Sequence, residues 1–187
     1  MEQKERFIEL LKSTERPGIE DLLAWLETTD WFTAPASTRF HGAYAGGLVQ
    51  HSLTVYDELV RLNNTYAPIM GAIPEQSMII MALLHDLCKV NCYKEEMRNR
   101  KNDFGAWEQY TAYIKSETMA YGGHGSKSVF LASRFISLFD NEAIAINCHM
   151  ATWENGKQGE IGDAFRQTPQ AWLLHVADEA ATFVQNK

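Results

Sequence analysis

The sequence predicts an all-α fold that is interrupted by one small β-hairpin. Apolar residues recur at helical spacing along most of the chain, beginning with Phe7 and Leu11. Prolines and capping residues stand where several of these stretches begin. One aromatic-rich and partly alternating stretch, at about 91–116, breaks the helical pattern. We therefore expect a bundle of about six or seven helices with a small hairpin flap.

The helices before the hairpin are predicted from their apolar faces and from the residues that precede each helix. Pro17 stands near the start of the second helix, and a loop rich in glycine, alanine, threonine and aromatic residues separates the second helix from the third at 30–46. We expect the first four helices at residues 3–13, 18–29, about 47–66, and from Pro74-Glu75 to His85-Asp86.

Turn residues and helix-capping residues predict the hairpin and the later helices. The segments "CYKEEMR" and "WEQYTAYIK" flank "KNDFG", which is typical of a turn. Helices resume at about 125–138 and, with Asp140 as N-cap, at about 140–151. The last helix is expected to start with Thr168 as N-cap, to have Pro169 at its first position, and to reach about 185.

Composition indicates an ordinary soluble globular protein with one domain over residues 1–187. Hydrophobic residues make up 45% and charged residues 22% of the chain. No apolar run approaches the roughly 20 residues that a membrane-spanning helix needs. The three cysteines, Cys88, Cys92 and Cys148, form no CxxC pair, which favours reduced thiols in a cytoplasm over a disulfide scaffold.

The net charge of −7 bears on the binding partner. Proteins that bind long nucleic acids usually carry a basic face, because phosphate contacts supply much of the affinity. This chain has one local basic cluster, formed by Lys94, Arg98, Arg100 and Lys101. A small phosphorylated ligand fits this charge balance better than a long duplex.

Several expected helices each carry an imidazole or a carboxylate in an apolar or glycine-flanked setting. These residues are His51, His85, Asp86, His124, His149 and Asp178. A buried carboxylate must be paired, neutralised or bound to a metal. Converging nitrogen and oxygen ligands on facing helices are how helical bundles build metal sites. The pattern therefore predicts a metal centre in the bundle core.

The order of these residues resembles the HD superfamily of metal-dependent phosphohydrolases. "HGAYAGGLVQHSL" resembles the Gly-Gly-Leu-x-x-His segment of that superfamily, "LLHDLCK" resembles its Leu-x-His-Asp-x-x-Lys signature, and "LLHVAD" resembles its last ligand helix. The resemblance spans about residues 38–182. It implies an HD-domain helical bundle, on which the N-terminal helices within residues 1–29 are expected to pack.

The resemblance implies that His51, His85, Asp86 and Asp178 are metal ligands. Members with two metals add histidines before the last aspartate, and His124 and His149 stand at such places. A His-His pair is common at the fourth element, whereas this chain has Cys148-His149. The sequence therefore leaves open whether one ion or two ions bind. It also leaves open whether His124 and His149 bind a phosphate instead of a metal.

The resemblance also implies the chemistry. A bound divalent ion lowers the pKa of its water and stabilises charge on phosphoryl oxygens. Imidazole and carboxylate ligands favour manganese or iron, with nickel, cobalt or zinc as alternatives. Asp86 and Lys89 are the expected catalytic residues. The resemblance implies that Lys89 contacts phosphate. The residues themselves add Lys127, His41, Arg98 and Arg100 as expected substrate contacts, with solvated side chains as the alternative for Lys127 and the arginines and a role in holding its loop as the alternative for His41.

We interpret the chain as a phosphohydrolase that acts on a nucleotide or a related small phosphoester through metal-activated water. One alternative is a 3′–5′ exonuclease on short single strands, because HD-containing exoribonucleases show a similar segment before the first histidine. The other is a non-catalytic sensor that binds a metal or a nucleotide. Homo-oligomerisation is left open, because no self-complementary surface can be identified in the sequence.

Overall fold

The computed structural model describes residues 2–116, 121–151 and 158–185. These ranges contain eight α-helices and one two-stranded sheet, so the expectation of a mostly helical fold with a hairpin is confirmed. A 3-10 turn at Leu87–Lys89 and a π-helical turn at Ala181–Gln185 complete the regular structure. The elements are α1 (Gln3–Ser13), α2 (Ile19–Glu27), α3 (Gly47–Met70), α4 (Glu75–Leu84), β1 (Tyr93–Lys101), β2 (Trp107–Lys115), α5 (His124–Ala132), α6 (Asp140–Cys148), α7 (Gln158–Gln167) and α8 (Pro169–Ala180).

The structure differs from the sequence expectation at three elements. Helix α7 was not predicted, because its segment carries two glycines, which lower the intrinsic helix propensity. Helix α5 ends at Ala132, well before the expected 138. The N-cap of α6 is Phe139 and Asp140 is its first residue, so the predicted N-cap was wrong by one position.

Helix α4 lies at the centre of the bundle. Every residue from Ser77 to Leu84 is buried, as is typical of a helix that is apolar on all sides. It packs against α3, α6 and α1, while α8 packs against both α3 and α6. This arrangement brings the C-terminal end of α4 between three other helices. Within the described ranges, none of the helices is both long and apolar enough to cross a membrane.

The N-terminal helices are joined to the bundle by a buried ion pair. Arg16, in the connection between α1 and α2, donates two hydrogen bonds to the carboxylate of Glu142 at 2.6 and 2.8 Å. The same carboxylate accepts hydrogen bonds from Ser77 on α4 and from the backbone N–H of Phe139. Because α1 also packs on α3 and α4, the N-terminal segment is part of the same packed structure.

The hairpin projects from the bundle. Its antiparallel register pairs Tyr93 with Lys115 and Lys101 with Trp107. Most side chains on both strands are exposed. The base of the hairpin is attached where Ser116 N–H donates to the carbonyl of Cys92 and where the Tyr93 hydroxyl donates to the carbonyl of Ala36.

Candidate metal centre

Four parts of the bundle bring imidazoles and carboxylates to one point. His51 lies one turn into α3, and Asp178 lies on α8. His85 ends α4 and is followed by Asp86, while His149 ends α6. His51, His85, Asp86 and His149 are all buried. Residues more than a hundred positions apart therefore meet because α3, α4, α6 and α8 pack against each other.

The ligand atoms lie at the separations expected around shared cations. His51 Nε2 is 3.0 Å from Asp178 Oδ1 and 3.8 Å from Asp86 Oδ2. His85 Nε2 is 3.3 Å from Asp86 Oδ2, and His149 Nε2 is 3.8 Å from Asp86 Oδ1. Two groups of donors could each hold a metal ion: His51, His85 and Asp178, and His85, Asp86 and His149. The two oxygens of Asp86 face different histidines, which is the arrangement of a bridging carboxylate.

The backbone fixes the orientation of two of these histidines. His85 Nδ1 lies 2.8 Å from the carbonyl oxygen of Ala82, and His149 Nδ1 lies 2.7 Å from that of Ile146. Because a carbonyl only accepts, each Nδ1 must carry the proton, which leaves a lone pair on Nε2. Among the residues that the structure describes, both Nε2 atoms and Asp86 Oδ1 are buried without a hydrogen-bond partner. Backbone-oriented imidazoles with a bare Nε2 are typical of metal ligands, so the donor set fits a divalent transition metal.

The electrostatics favour the protonation states that metal binding requires at the two carboxylates and at His149. At His85 burial lowers the pKa, but the Asp86 and Asp178 carboxylates outweigh it and raise the pKa above its ordinary value, so a metal would have to displace a proton there. Burial opposes ionisation of Asp86, but the nearby Lys89 and His85 hold its pKa well below the usual range. Burial also opposes ionisation of Asp178, and His51 and His85 still keep its pKa low. Burial, together with His85, lowers the pKa of His149 to about 4. At neutral pH the site thus holds two carboxylates and a neutral His149 imidazole.

Lys89 lies directly against the proposed ligands. Its Nζ is 2.6 Å from Asp86 Oδ2 and donates to the carbonyl oxygen of Ala36 at 2.7 Å. Burial alone would lower the pKa of Lys89, but the Asp86 carboxylate raises it above its ordinary value. The ammonium group therefore stays charged, and it connects the metal centre to the loop that precedes α3.

A cavity of about 670 Å³ opens beside this cluster. Asp86, Lys89, His149 and Asp178 form part of its wall. A cavity of this size takes a ligand of nucleotide dimensions. Three of the proposed ligands, Asp86, His149 and Asp178, therefore line a pocket with room for a small phosphorylated molecule, whereas His51 and His85 lie behind its wall.

The remaining residues proposed from the sequence fall into two groups. His41 and His124 also line the cavity. The ring of His41 lies 4.7 Å from that of His51, and burial together with that neighbour lowers its pKa to about 4. His124 is in neither of the two sets of donor atoms, described above, that could hold a metal ion.

The other group lies away from the cavity wall. Lys127 is buried in α5 and does not line the cavity. Arg98 and Arg100 lie on the exposed hairpin, where they pair with Glu96 and Glu108. Their contact with a substrate stays a prediction.

Sequence reasoning missed part of the cavity wall. Phe40, Met150, Glu179, Thr182 and Phe183 line it together with the proposed ligands. One signal was present: Glu179 follows Asp178 and stands four residues before Phe183, so both lie along one side of the same helical stretch. Phe40 and Met150 reach the cavity through tertiary packing, which no local pattern indicates.

Comparison with known proteins finds a relative among enzymes that act on phosphoesters. The chain is 31% identical over 183 residues to dihydroneopterin 2′,3′-cyclic phosphate phosphodiesterase from Methanocaldococcus jannaschii. The match covers 96% of this chain and 62% of that relative, so the chain spans less than two thirds of the relative's length. No protein-family model and no solved structure matches the chain. The buried histidine and aspartate groups of this chain have the donors that a metal needs.

Proposed function

We propose that this chain is an HD-type metal-dependent phosphodiesterase that hydrolyses a small, nucleotide-like phosphoester. The observation that carries the proposal is the convergence of two carboxylates and three imidazoles beside one cavity, with bare and buried ligand atoms on His85, His149 and Asp86. The similarity to a cyclic-phosphate phosphodiesterase supports the same chemistry and favours a cyclic phosphodiester as substrate.

In this proposal His51, His85, Asp86 and Asp178 would hold one ion, and His149 with Asp86 would help to hold a second ion where two bind. A bound divalent ion supplies a hydroxide-like water near neutral pH and withdraws charge from the phosphoryl group. Manganese or iron suits this set of ligands best. The ligand residues keep their geometry because the backbone and the packed helices orient them before the substrate binds.

The other residues of the chain act on the substrate itself. The Lys89 ammonium group, fixed between Asp86 and Ala36, lies where it can neutralise charge on phosphoryl oxygens. His41 is neutral, and within the described part of the chain both of its buried nitrogens lack a partner, so its N–H can donate a hydrogen bond to a substrate oxygen. Overall, water oxygen bonds to phosphorus while the ester oxygen leaves and takes up a proton. A cyclic phosphodiester therefore opens to a monoester.

The test is metal analysis combined with a substrate panel. Purified protein is analysed by inductively coupled plasma mass spectrometry. It is then assayed with manganese, iron, cobalt, nickel or zinc on 2′,3′-cyclic nucleotides and on bis(p-nitrophenyl) phosphate. We expect metal-dependent turnover that Asp86→Asn abolishes while the circular dichroism spectrum stays unchanged. Asp57→Asn, the same change on the exposed face of α3, is the matched control and should keep full turnover.

Two results would overturn the proposal. One is turnover of Asp86→Asn equal to that of the unaltered protein. The other is nucleotide binding without release of product under any of the five metals, which would support the non-catalytic sensor instead.

A further inference from the structure

The cavity beside the candidate metal centre is lined by two chemically different sets of residues. One set, Asp86, Lys89, His149 and Asp178, has the charges and donors that a phosphate would contact. The other set includes two phenylalanines, Phe40 and Phe183, and one carboxylate, Glu179. A phosphate group alone needs only the first set, so the second set is available to contact the remainder of the ligand.

The two phenylalanines are unusually exposed for residues of a cavity wall. Phe40 is 70% and Phe183 is 61% exposed. They come from separate segments, one from the loop before α3 and one from the turn after α8. Phe40 is held in place, because its backbone N–H donates to Ser37 Oγ at 2.9 Å. Exposed aromatic rings that line a concave site are suited to stacking on a flat ring.

Glu179 is the chemically unexpected member of this wall. A third carboxylate, in addition to Asp86 and Asp178, repels a phosphorylated substrate unless the ligand supplies hydrogen-bond donors to it. Among the residues that the structure describes, Glu179 has no ion pair and no side-chain hydrogen bond. It stands four residues before Phe183 on a continuous helical stretch, so the carboxylate and the ring lie on adjacent turns.

We propose that Glu179 selects a phosphoester that carries a 2-amino-4-oxo ring, with Phe40 and Phe183 contacting the faces of that ring. Such a ring presents an N–H and an adjacent NH₂ along one edge, and together they match the two oxygens of a carboxylate. Guanine and pterin share this edge, whereas adenine, cytosine and uracil lack it. This inference rests on the proposed phosphodiesterase function, because it assigns the ring that the same cavity accepts.

The experiment measures selectivity. We compare kcat/KM for guanosine and adenosine 2′,3′-cyclic phosphates in the manganese-loaded protein, with dihydroneopterin 2′,3′-cyclic phosphate as a third substrate to distinguish guanine from pterin. Glu179→Gln should reduce the guanosine-to-adenosine ratio by about 10- to 100-fold, since two hydrogen bonds to a charged acceptor are weakened. Phe183→Ala should raise KM for all three substrates by about 10-fold.

Matched controls separate selectivity from general damage. Glu9→Gln, the control for Glu179→Gln, changes a residue on the exposed side of α1. Phe104→Ala, the control for Phe183→Ala, removes a ring that is 96% exposed at the hairpin tip. Both should leave the ratio and KM unchanged, and metal content of Glu179→Gln should equal that of the unaltered protein. An unchanged ratio in Glu179→Gln would overturn the proposal.

A binding measurement distinguishes failure of this proposal from failure of the proposed function. Isothermal titration with guanosine 3′-monophosphate and adenosine 3′-monophosphate needs no turnover. Preference for the guanosine compound that Glu179→Gln removes would support the selectivity even in a protein without activity. Equal affinities in the unaltered protein would contradict it, whether or not phosphodiesters are hydrolysed.

Discussion

The imidazole rings of His85 and His149 meet edge to face, with centroids 5.0 Å apart and planes at 80°. Each ring stands at the C-terminal end of its helix and donates Nδ1–H to the carbonyl three residues earlier. The same local geometry is therefore built twice, on α4 and on α6, and it directs both Nε2 atoms toward Asp86. A site with ligands oriented in this way loses little side-chain freedom when a cation binds.

The first prediction is that a bound metal stabilises the fold. A metal that binds the native state alone at about 100 times its dissociation constant adds about 2.7 kcal/mol to the free energy of unfolding. For a chain of this length that corresponds to a rise in Tm of about 5 to 10 °C. Differential scanning fluorimetry of protein stripped with EDTA and then titrated with manganese measures this shift.

The shift should depend on the ligands. Asp178→Asn should remove most of it, whereas Asp57→Asn on the surface should retain it. A Tm that manganese, iron, cobalt, nickel and zinc all leave unchanged would refute the metal centre.

The second prediction concerns Lys89. Lys89→Met removes the cation that lies 2.6 Å from the buried carboxylate of Asp86. Since breaking a buried pair leaves an uncompensated charge, the metal-free protein should lose about 3 to 5 kcal/mol of unfolding free energy. A bound metal compensates Asp86 as well, so the loss should be smaller in the metal-loaded protein. Urea unfolding of both forms measures the difference, and turnover should fall in parallel.

The exposed Lys94 on the hairpin offers the comparison for this change. Lys94→Met should leave stability and turnover close to those of the unaltered protein. Equal losses in the metal-free and metal-loaded forms of Lys89→Met would argue against a role for Lys89 beside the metal.

The sequence indicated the proposed ligands better than the rest of the cavity wall, for a physical reason. A histidine or aspartate within an apolar helix, such as His149 or Asp178, is locally anomalous, and its setting can be recognised without knowing the fold. Phe40 and Phe183 are ordinary residues in their own segments, and they become a wall only when the loop before α3 meets the end of α8. The contact of Lys89 with Ala36 joins residues 53 positions apart, and no local spacing predicts it.

The secondary-structure predictions were likewise accurate where the local signal was strong and failed where tertiary packing decides the structure. Strong periodicity and turn chemistry placed α1, α3 and the hairpin close to their observed bounds. Helix α7 was missed because Gly159 and Gly162 lower its intrinsic helix propensity, and its packing on α8 stabilises it instead. Tertiary contacts override a weak local preference there.

The third prediction tests the ion pair that joins the N-terminal segment to the bundle. The side chains of Arg16 and Glu142 are 8% and 0% exposed. Arg16→Met leaves the Glu142 carboxylate buried without its cation, so the free energy of unfolding should fall by about 3 to 5 kcal/mol. The exposed pair Lys4–Glu27 is the control, and Lys4→Met should cost less than about 1 kcal/mol. Urea unfolding measures both.

A double variant isolates the cause. Arg16→Met combined with Glu142→Leu removes both charges, and most of the lost stability should return because apolar replacements of a buried pair are often neutral. A double variant as unstable as Arg16→Met alone would show that packing of the arginine, rather than the uncompensated carboxylate, decides the outcome.

The last prediction concerns the contact between α5 and α6. A Cβ atom on Gly125 would lie 2.2 Å from the carbonyl oxygen of Asn147, two residues before His149. Gly125→Ala must therefore push the two helices apart, at a cost of about 1 to 3 kcal/mol in unfolding free energy. His149 would move relative to Asp86, and a displacement of about 1 Å at a catalytic site can reduce turnover about 100-fold.

Gly159→Ala is the matched control, because a Cβ atom there meets nothing within 4 Å. It lies inside α7, so alanine should stabilise the protein slightly, by up to about 1 kcal/mol, and leave turnover unchanged. Urea unfolding, metal content and kcat are measured for both variants. Full turnover and metal content in Gly125→Ala would show that the position of His149 does not depend on this close contact, since the strain would then be absorbed elsewhere in α5.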